Sequence, residues 1–249
     1  VKVVVGHLYP DYLNIYADRG NIAVLERRAA WRGIGFDYRT IGLGDPVPTD
    51  VDLLYVGGGQ DREQALVAPD LAAKGPELAA AAAAGAAVLA VCGGYQLLGA
   101  FYRDRGGSEL PGAGLLPLHT VAGSRRMIGD ILLDCELTQG ARRTIAGFEN
   151  HAGRTFLDPG AAPLGRVVFG FGNNGEDGHE GCRAGRVVGT YLHGPLLPRN
   201  PWLADWLLAQ ALARSAGEPP ELEPLGDRLE DEARAVASDR ARMRGGRGR

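Results

Sequence analysis

The sequence predicts an α/β protein: a doubly wound, mostly parallel sheet flanked by helices, with added antiparallel strands. Three observations carry this prediction. Short β-branched or apolar runs recur at Val1–Val5, Val51–Val56 and Ala86–Val91, and such runs suit central parallel strands covered on both faces. Stretches with helical spacing separate them, the pattern that parallel crossovers require. From Leu115 to Tyr191 the character changes to short strand-like runs among Gly-rich turns.

In chain order, Val1–Val5 is bounded by Gly6 and followed by a helical stretch from Gly20 to Trp31, where Ile22, Val24, Leu25 and Ala29 fall near one face and Gly33 stops it. A second strand is expected around Phe36–Ile41 and a third at Val51–Val56, with helices over Glu63–Lys74 and Glu77–Ala84. The fourth strand, Ala86–Val91, runs into Cys92 and a helix that carries Leu97, Leu98 and Phe101. Arg126–Leu133, Thr144–Phe148, Arg166–Phe171 and Arg186–Tyr191 read as short antiparallel strands added to the same domain. Asn200–Ala213 reads as a closing helix, with Asn200 as N-cap, Pro201 in the first turn, and Trp202, Leu203, Trp206, Leu207 and Ala211 on one face. After Gly217 come Pro-Pro, mixed charges and a Gly-Arg end, which predict a short surface helix and then disorder. The division is therefore a domain over 1–216 and a charged tail over 217–249.

Composition narrows the function classes. At 249 residues and 45% hydrophobic content the chain can bury one large core. A formal charge of -3 gives no broad positive field for nucleic acid or an anionic membrane. Three cysteines, Cys92, Cys135 and Cys182, show neither a disulfide framework nor a zinc-ligand spacing, so no metal site is expected and a reducing compartment fits. The opening apolar run meets Gly6 and Pro10 too early for a signal peptide, and the Ala-rich run before Val91 is broken by Gly85, so a cytoplasmic location is expected.

Cys92 is the candidate nucleophile. It sits where a buried-type strand turns sharply into a helix, with small residues, Ala90 and Gly94, two positions to either side, as a nucleophile elbow requires. A helix amino terminus favours the thiolate, and the following backbone N–H groups can hold an oxyanion. Cys135 and Cys182 lack that context. A proton carrier is also needed, and five histidines compete for the role. His193 follows a β-branched strand and precedes a Gly-Pro break, which places it at a strand's carboxyl end, on the rim where the crevice of such a fold lies. His7, His119, His151 and His179 are the alternatives. The Gly57-Gly58-Gly59 run lacks the pattern of a phosphate loop, and the GFGNNG segment at Gly170 has no helix after it, so a nucleotide site is not expected. Three glycines do permit close backbone approach, and an N–H there can face Cys92 as a second oxyanion donor.

The Cys92 elbow, the Gly-rich loop and the YLHGPLLPRNP segment resemble the class I glutamine amidotransferases of the cobyric acid synthase type, whose fold is flavodoxin-like. GHLYPDYLNIYADRGN, VGGGQDREQ, RRMIGD, GFENHAGRTFL and GFGNNGEDGHEG narrow the resemblance to the glutaminase subunits of lipid II isoglutaminyl synthase, the GatD group, over the chain up to about Ala213. The resemblance implies that Cys92 attacks the glutamine side-chain amide and that His193 relays protons. It further implies that the backbone at Gly58 and Gly93 forms the oxyanion hole and that Gln96 and Arg126 hold glutamine. A guanidinium suits the last role, because it takes a carboxylate in two parallel hydrogen bonds. It also implies a Mur-ligase-like MurT partner, in a heterodimer, that binds ATP and magnesium and amidates D-glutamate in lipid II; no cofactor is expected in this chain. One position departs from many class I members, which place Glu two residues after the catalytic histidine. Here it is Pro195, so an acid from elsewhere in the fold or from the partner must orient the ring. Two other readings are a glutaminase serving corrinoid amidation and a non-catalytic scaffold.

Overall fold

The computed structural model describes residues 1–15, 19–193 and 195–245, with side chains up to residue 239. In chain order it opens with β1 (Lys2–Leu8), α1 (Arg19–Trp31), β2 (Gly35–Ile41), β3 (Leu53–Val56), α2 (Asp61–Ala73), α3 (Gly75–Ala83), β4 (Ala87–Val91) and α4 (Gly93–Leu97). β3 and β4 are buried at every position, which is why they carry no polar alternation and lie centrally. α1 turns Ile22, Leu25 and Ala29 inward, as its spacing predicts.

Next come β5 (Phe101–Arg103), β6 (Glu109–Pro111), β7 (Leu118–Thr138), β8 (Ala141–Leu157), β9 (Gly165–Phe169), β10 (His179–Glu180), β11 (Cys182–Ala184) and β12 (Val187–Thr190). The first sheet has six strands in the order β11-β12-β4-β3-β1-β2, parallel except at β11. Its register matters for chemistry. Thr190 pairs with Val91 and Val56 pairs with Ala90, so the segments leaving β12, β4 and β3 emerge side by side at the carboxyl rim.

Two expectations need correction here. The run Arg186–Tyr191 is not an antiparallel addition, because Val187–Thr190 is β12 and pairs in parallel with β4. The runs expected as short strands at Arg126–Leu133 and Thr144–Phe148 belong to strands of 21 and 17 residues, β7 and β8, the spine of a second sheet ordered β10-β9-β7-β5-β6 with β8 on β7. Interior glycines gave the impression of turns. In the structure they mark close approaches instead: a Cβ on Gly147 would lie 2.7 Å from Leu192, and one on Gly153 would lie 2.8 Å from the Tyr191 hydroxyl.

The chain ends with α5 (Leu196–Arg199), α6 (Pro201–Ala216) and α7 (Arg228–Gly245). Asn200 does not cap α6 with its side chain. Its amide instead accepts from the Ala146 N–H at 3.0 Å and donates to Ala146 O and Leu196 O, bracing β8 against α5. Gly217, at φ 89, ends α6. The tail then folds back: Asp227 meets the buried Arg28 at 2.6 Å, and α7 packs on β7, β8, β9 and α5. The short surface helix expected in the tail is instead the 18-residue α7, which takes up most of the stretch where disorder was expected; residues 246–249 lie outside the described residues. No described helix is long and apolar enough to cross a membrane.

Candidate active site

Cys92 joins β4 to α4 with φ 50 and ψ -106, one of two described non-glycine residues at positive φ. A side chain held there costs about 1–3 kcal/mol and persists only when its surroundings enforce it. They do so here. The Cys92 N–H donates to Thr190 O at 2.8 Å and the Gly94 N–H to Gly57 O at 3.1 Å, which ties the turn to the strands' neighbouring ends. The glycines are required: a Cβ on Gly94 would lie 2.7 Å from Gly57 O and Val56 O, and one on Gly93 would lie 2.9 Å from the Gly59 nitrogen. The helix is shorter than expected, five residues ending at Leu97, and Phe101 belongs to β5 instead.

The thiol lines a cavity of about 450 Å³ together with Gln64, Gln96, Arg126, Asn150, His151 and Gly153. Three of the predicted site residues, Cys92, Gln96 and Arg126, therefore share one cavity although 30 or more positions separate Arg126 from the other two. Arg126 lies in the register gap between Ala122 and Met127, where β7 slips against β8. There Arg126 Nε donates to Asn150 Oδ1 at 3.0 Å and Nη2 to Asn150 O at 3.3 Å. Of the predicted oxyanion glycines neither Gly58 nor Gly93 is among the lining residues; Gly59 lines the cavity, and Gly93 packs against the Gly59 nitrogen. Gln96 is buried, its Oε1 accepting from Gln64 Nε2 at 2.8 Å and its Nε2 donating to the Tyr191 hydroxyl at 3.1 Å, which leaves one N–H and one lone pair for a ligand.

His193 follows β12 and is fully buried, its backbone bridged to Phe148 by N–H···O of 2.7 Å and a return bond of 3.4 Å. Burial pushes its pKa down to about 3, with the neighbouring His151 and Arg126 lowering it further, so the ring is neutral at pH 7. Those two neighbours both line the Cys92 cavity. His193 itself is not among the residues that line that cavity.

His151 lies in the wall itself. Its ring stacks on Tyr191 at 3.5 Å between centroids and 6° between planes. Nδ1 donates to Gly153 O at 2.9 Å, since a carbonyl can only accept, and Nε2 is 3.8 Å from Glu149 Oε2. Glu149 is fully buried and accepts the Phe171 and Gly172 N–H groups at 2.7 and 3.0 Å. His151 is among the alternative histidines of the sequence, and Glu149, Gln64, Tyr191 and Gly153 are neighbours of the site that residue type and spacing do not single out. The Glu149-Asn150-His151 alternation in a strand was the available signal, because it sends Glu149 and His151 to one face and Asn150 to the other.

The remaining titratable candidates are elsewhere. Burial raises the thiols of Cys135 and Cys182 to about 12, which makes them poor nucleophiles. His7 bonds Tyr38 and is lowered to about 4 by burial, with Arg19 adding. His119 is stacked between Phe101 and Phe156. A larger cavity of about 640 Å³ lies by Asp11, Arg19, Tyr38 and Asp45, with no cysteine or histidine in its lining.

Comparison with known proteins agrees with this geometry. Residues 4–201 match the family of CobB/CobQ-like glutamine amidotransferase domains. The chain is 42% identical to the lipid II isoglutaminyl synthase (glutamine-hydrolyzing) subunit GatD of Staphylococcus aureus, covering 96% of each chain. It is 39% identical to the same-named subunit of Streptococcus pneumoniae, covering 94% of this chain and 90% of that one. Among solved structures it is similar to PurLQS from Thermotoga maritima, with a TM-score of 0.57 at 21% identity, covering 78% of this chain and 88% of that chain, which is a likeness of fold. With an elbow cysteine at the carboxyl rim of a doubly wound sheet and a family match across most of its length, the chain belongs to the CobB/CobQ-like glutamine amidotransferases.

Proposed function

We propose that this chain is the glutamine-hydrolysing subunit of a lipid II isoglutaminyl synthase and that Cys92 is its nucleophile. The observation that carries the reading is Cys92 on its strained turn, opening into the cavity that also holds Arg126, in a chain similar to GatD over nearly its whole length. Arg126 takes the α-carboxylate of L-glutamine and Gln96 offers its remaining N–H and lone pair. Cys92 Sγ forms a bond to the side-chain carbonyl carbon while the oxygen becomes an oxyanion, held by the N–H groups of Gly58 and Gly93. His193 passes the thiol proton to the departing nitrogen, the C–N bond breaks, and ammonia leaves. Water then attacks the glutamyl thioester, releasing glutamate and restoring the thiol.

Ammonia passes to a Mur-ligase-like subunit of the MurT kind, which binds ATP and magnesium and amidates the D-glutamate carboxyl of lipid II. Position 195 is proline where many class I members carry glutamate, and binding of that subunit is expected to complete the positioning of His193, so that the isolated chain hydrolyses glutamine more slowly than the complex. Comparable rates for the chain alone and for the complex would contradict this. The central test is Cys92→Ala in the complex: glutamine-dependent amidation is expected to vanish while amidation with added ammonium persists. Equal loss with both nitrogen donors would overturn the reading.

A further inference from the structure

We propose that Tyr191 is a positioning residue of the thiol cavity, whose hydroxyl locks the glutamine-holding wall from the second sheet onto the thiol-bearing rim of the first. The inference rests on the reading of Cys92 as a glutamine-hydrolysing thiol. The cavity has two halves of different origin: Cys92, Gln64 and Gln96 come from the first sheet's rim, and Arg126, Asn150 and His151 from β7 and β8. Their relative placement to within a few tenths of an ångström decides whether a bound glutamine presents its amide to the sulfur.

Tyr191 is fully buried and leaves β12 two residues before His193. Its hydroxyl accepts from Gln96 Nε2 at 3.1 Å and shares a 2.6 Å hydrogen bond with Thr155 Oγ1 on β8, which in turn bonds Thr120 Oγ1 on β7 at 2.7 Å. On the other side Gln64 Nε2 donates to Gln96 Oε1 at 2.8 Å and to Gly93 O at 3.3 Å. One continuous buried polar chain therefore runs from the turn at Gly93 to both long strands of the second sheet, with the Tyr191 oxygen as its crossing point. The ring does a second job. Its face carries His151 at 3.5 Å, and its backbone N–H is fixed by Glu180 Oε1 at 2.6 Å.

Sterics support the same junction. A Cβ on Gly153 would lie 2.3 Å from Gln96 Nε2 and 2.8 Å from the Tyr191 oxygen, so β8 can approach this closely only with glycine there. Removing the hydroxyl leaves Gln96 Nε2 and Thr155 Oγ1 without their shared partner while the ring, its stack with His151 and the packing remain.

The test uses the full chain in complex with its ligase subunit. Tyr191→Phe is expected to raise the KM for glutamine about five- to ten-fold, the range of one lost hydrogen bond, with kcat within about two-fold. Thr155→Val should act the same way, and the double variant should fall short of the product of the two effects, because both substitutions cut one chain. Alkylation of Cys92 by iodoacetamide, which makes no use of the α-carboxylate wall, should keep its rate. A fall in melting temperature with unchanged KM would reduce Tyr191 to a packing role and overturn the inference. So would independent, multiplicative effects of the two variants. Absence of glutamine turnover in the unsubstituted complex would instead overturn the reading of Cys92 itself.

Discussion

Glu180 is fully buried on β10, where Oε1 accepts the Tyr191 N–H and both oxygens lie about 3 Å from the Thr190 hydroxyl. Burial outweighs those hydrogen bonds and pushes its pKa up to about 8, from 4.5 for an ordinary glutamate. Between those two values the folded chain keeps a proton that the unfolded chain has released. Stability therefore falls as pH rises through that window and is greatest below it. Glu180→Gln is expected to flatten the dependence, so that urea melts at pH 5.5 and pH 8 differ less in the variant than in the parent; equal differences would count against a protonated Glu180. At Arg126 the relevant quantity is glutamine affinity. Because Asn150 already orients the guanidinium, Arg126→Ala is expected to raise KM by about ten-fold or more, the size of a charged hydrogen bond, and unchanged glutamine kinetics would reject its role.

At the level of elements, the elbow depends on α4 lying against the end of β3. Gly94→Ala places a methyl 2.7 Å from two carbonyl oxygens, so the helix must shift away from Gly57. Overpacking of this kind costs about 1–3 kcal/mol. The expected outcome is a lower melting temperature together with slower alkylation of Cys92. Gly129→Ala provides the comparison: its Cβ would meet no atom within 4 Å on β7, and both properties should stay near the parent's. Similar losses from both substitutions would show that glycine content in general, and not the close approach at the elbow, sets the sensitivity.

For the whole molecule, the tail is tied down by charge. Arg28 on α1 is 2% exposed and donates bidentately to Asp205 of α6 and to Asp227 ahead of α7, at 2.6 to 2.9 Å. Arg32 adds two bonds to Asp205 and one to Glu223 O. Removing one partner of a buried pair leaves the others uncompensated and typically costs about 3–5 kcal/mol. Arg28→Ala is expected to destabilise the fold by about that amount and to speed proteolysis between Gly217 and Arg228. Proteolysis at the parent's rate would mean that hydrophobic contacts of Leu222 and α7 hold the tail without the ion pairs.

The alternating βα order, the central strands and the elbow at Cys92 are legible in the chain without coordinates, because these rest on local pattern: continuous apolar runs, helical spacing, and small residues around one sharp turn. Cys92 stands out from its elbow context and His193 from its strand-end position, the latter against four other histidines, whereas Arg126 enters only through the family resemblance. What the sequence could not determine was which distant segments meet. The parallel pairing of Val187–Thr190 with β4, the length of β7 and β8, and the wall formed by Arg126, Asn150 and His151 all depend on long-range pairing, and interior glycines resemble turns until the neighbours that need them are in place. Local chemistry is written in short windows of sequence. A cavity between two sheets is decided only when register fixes which side chains face each other.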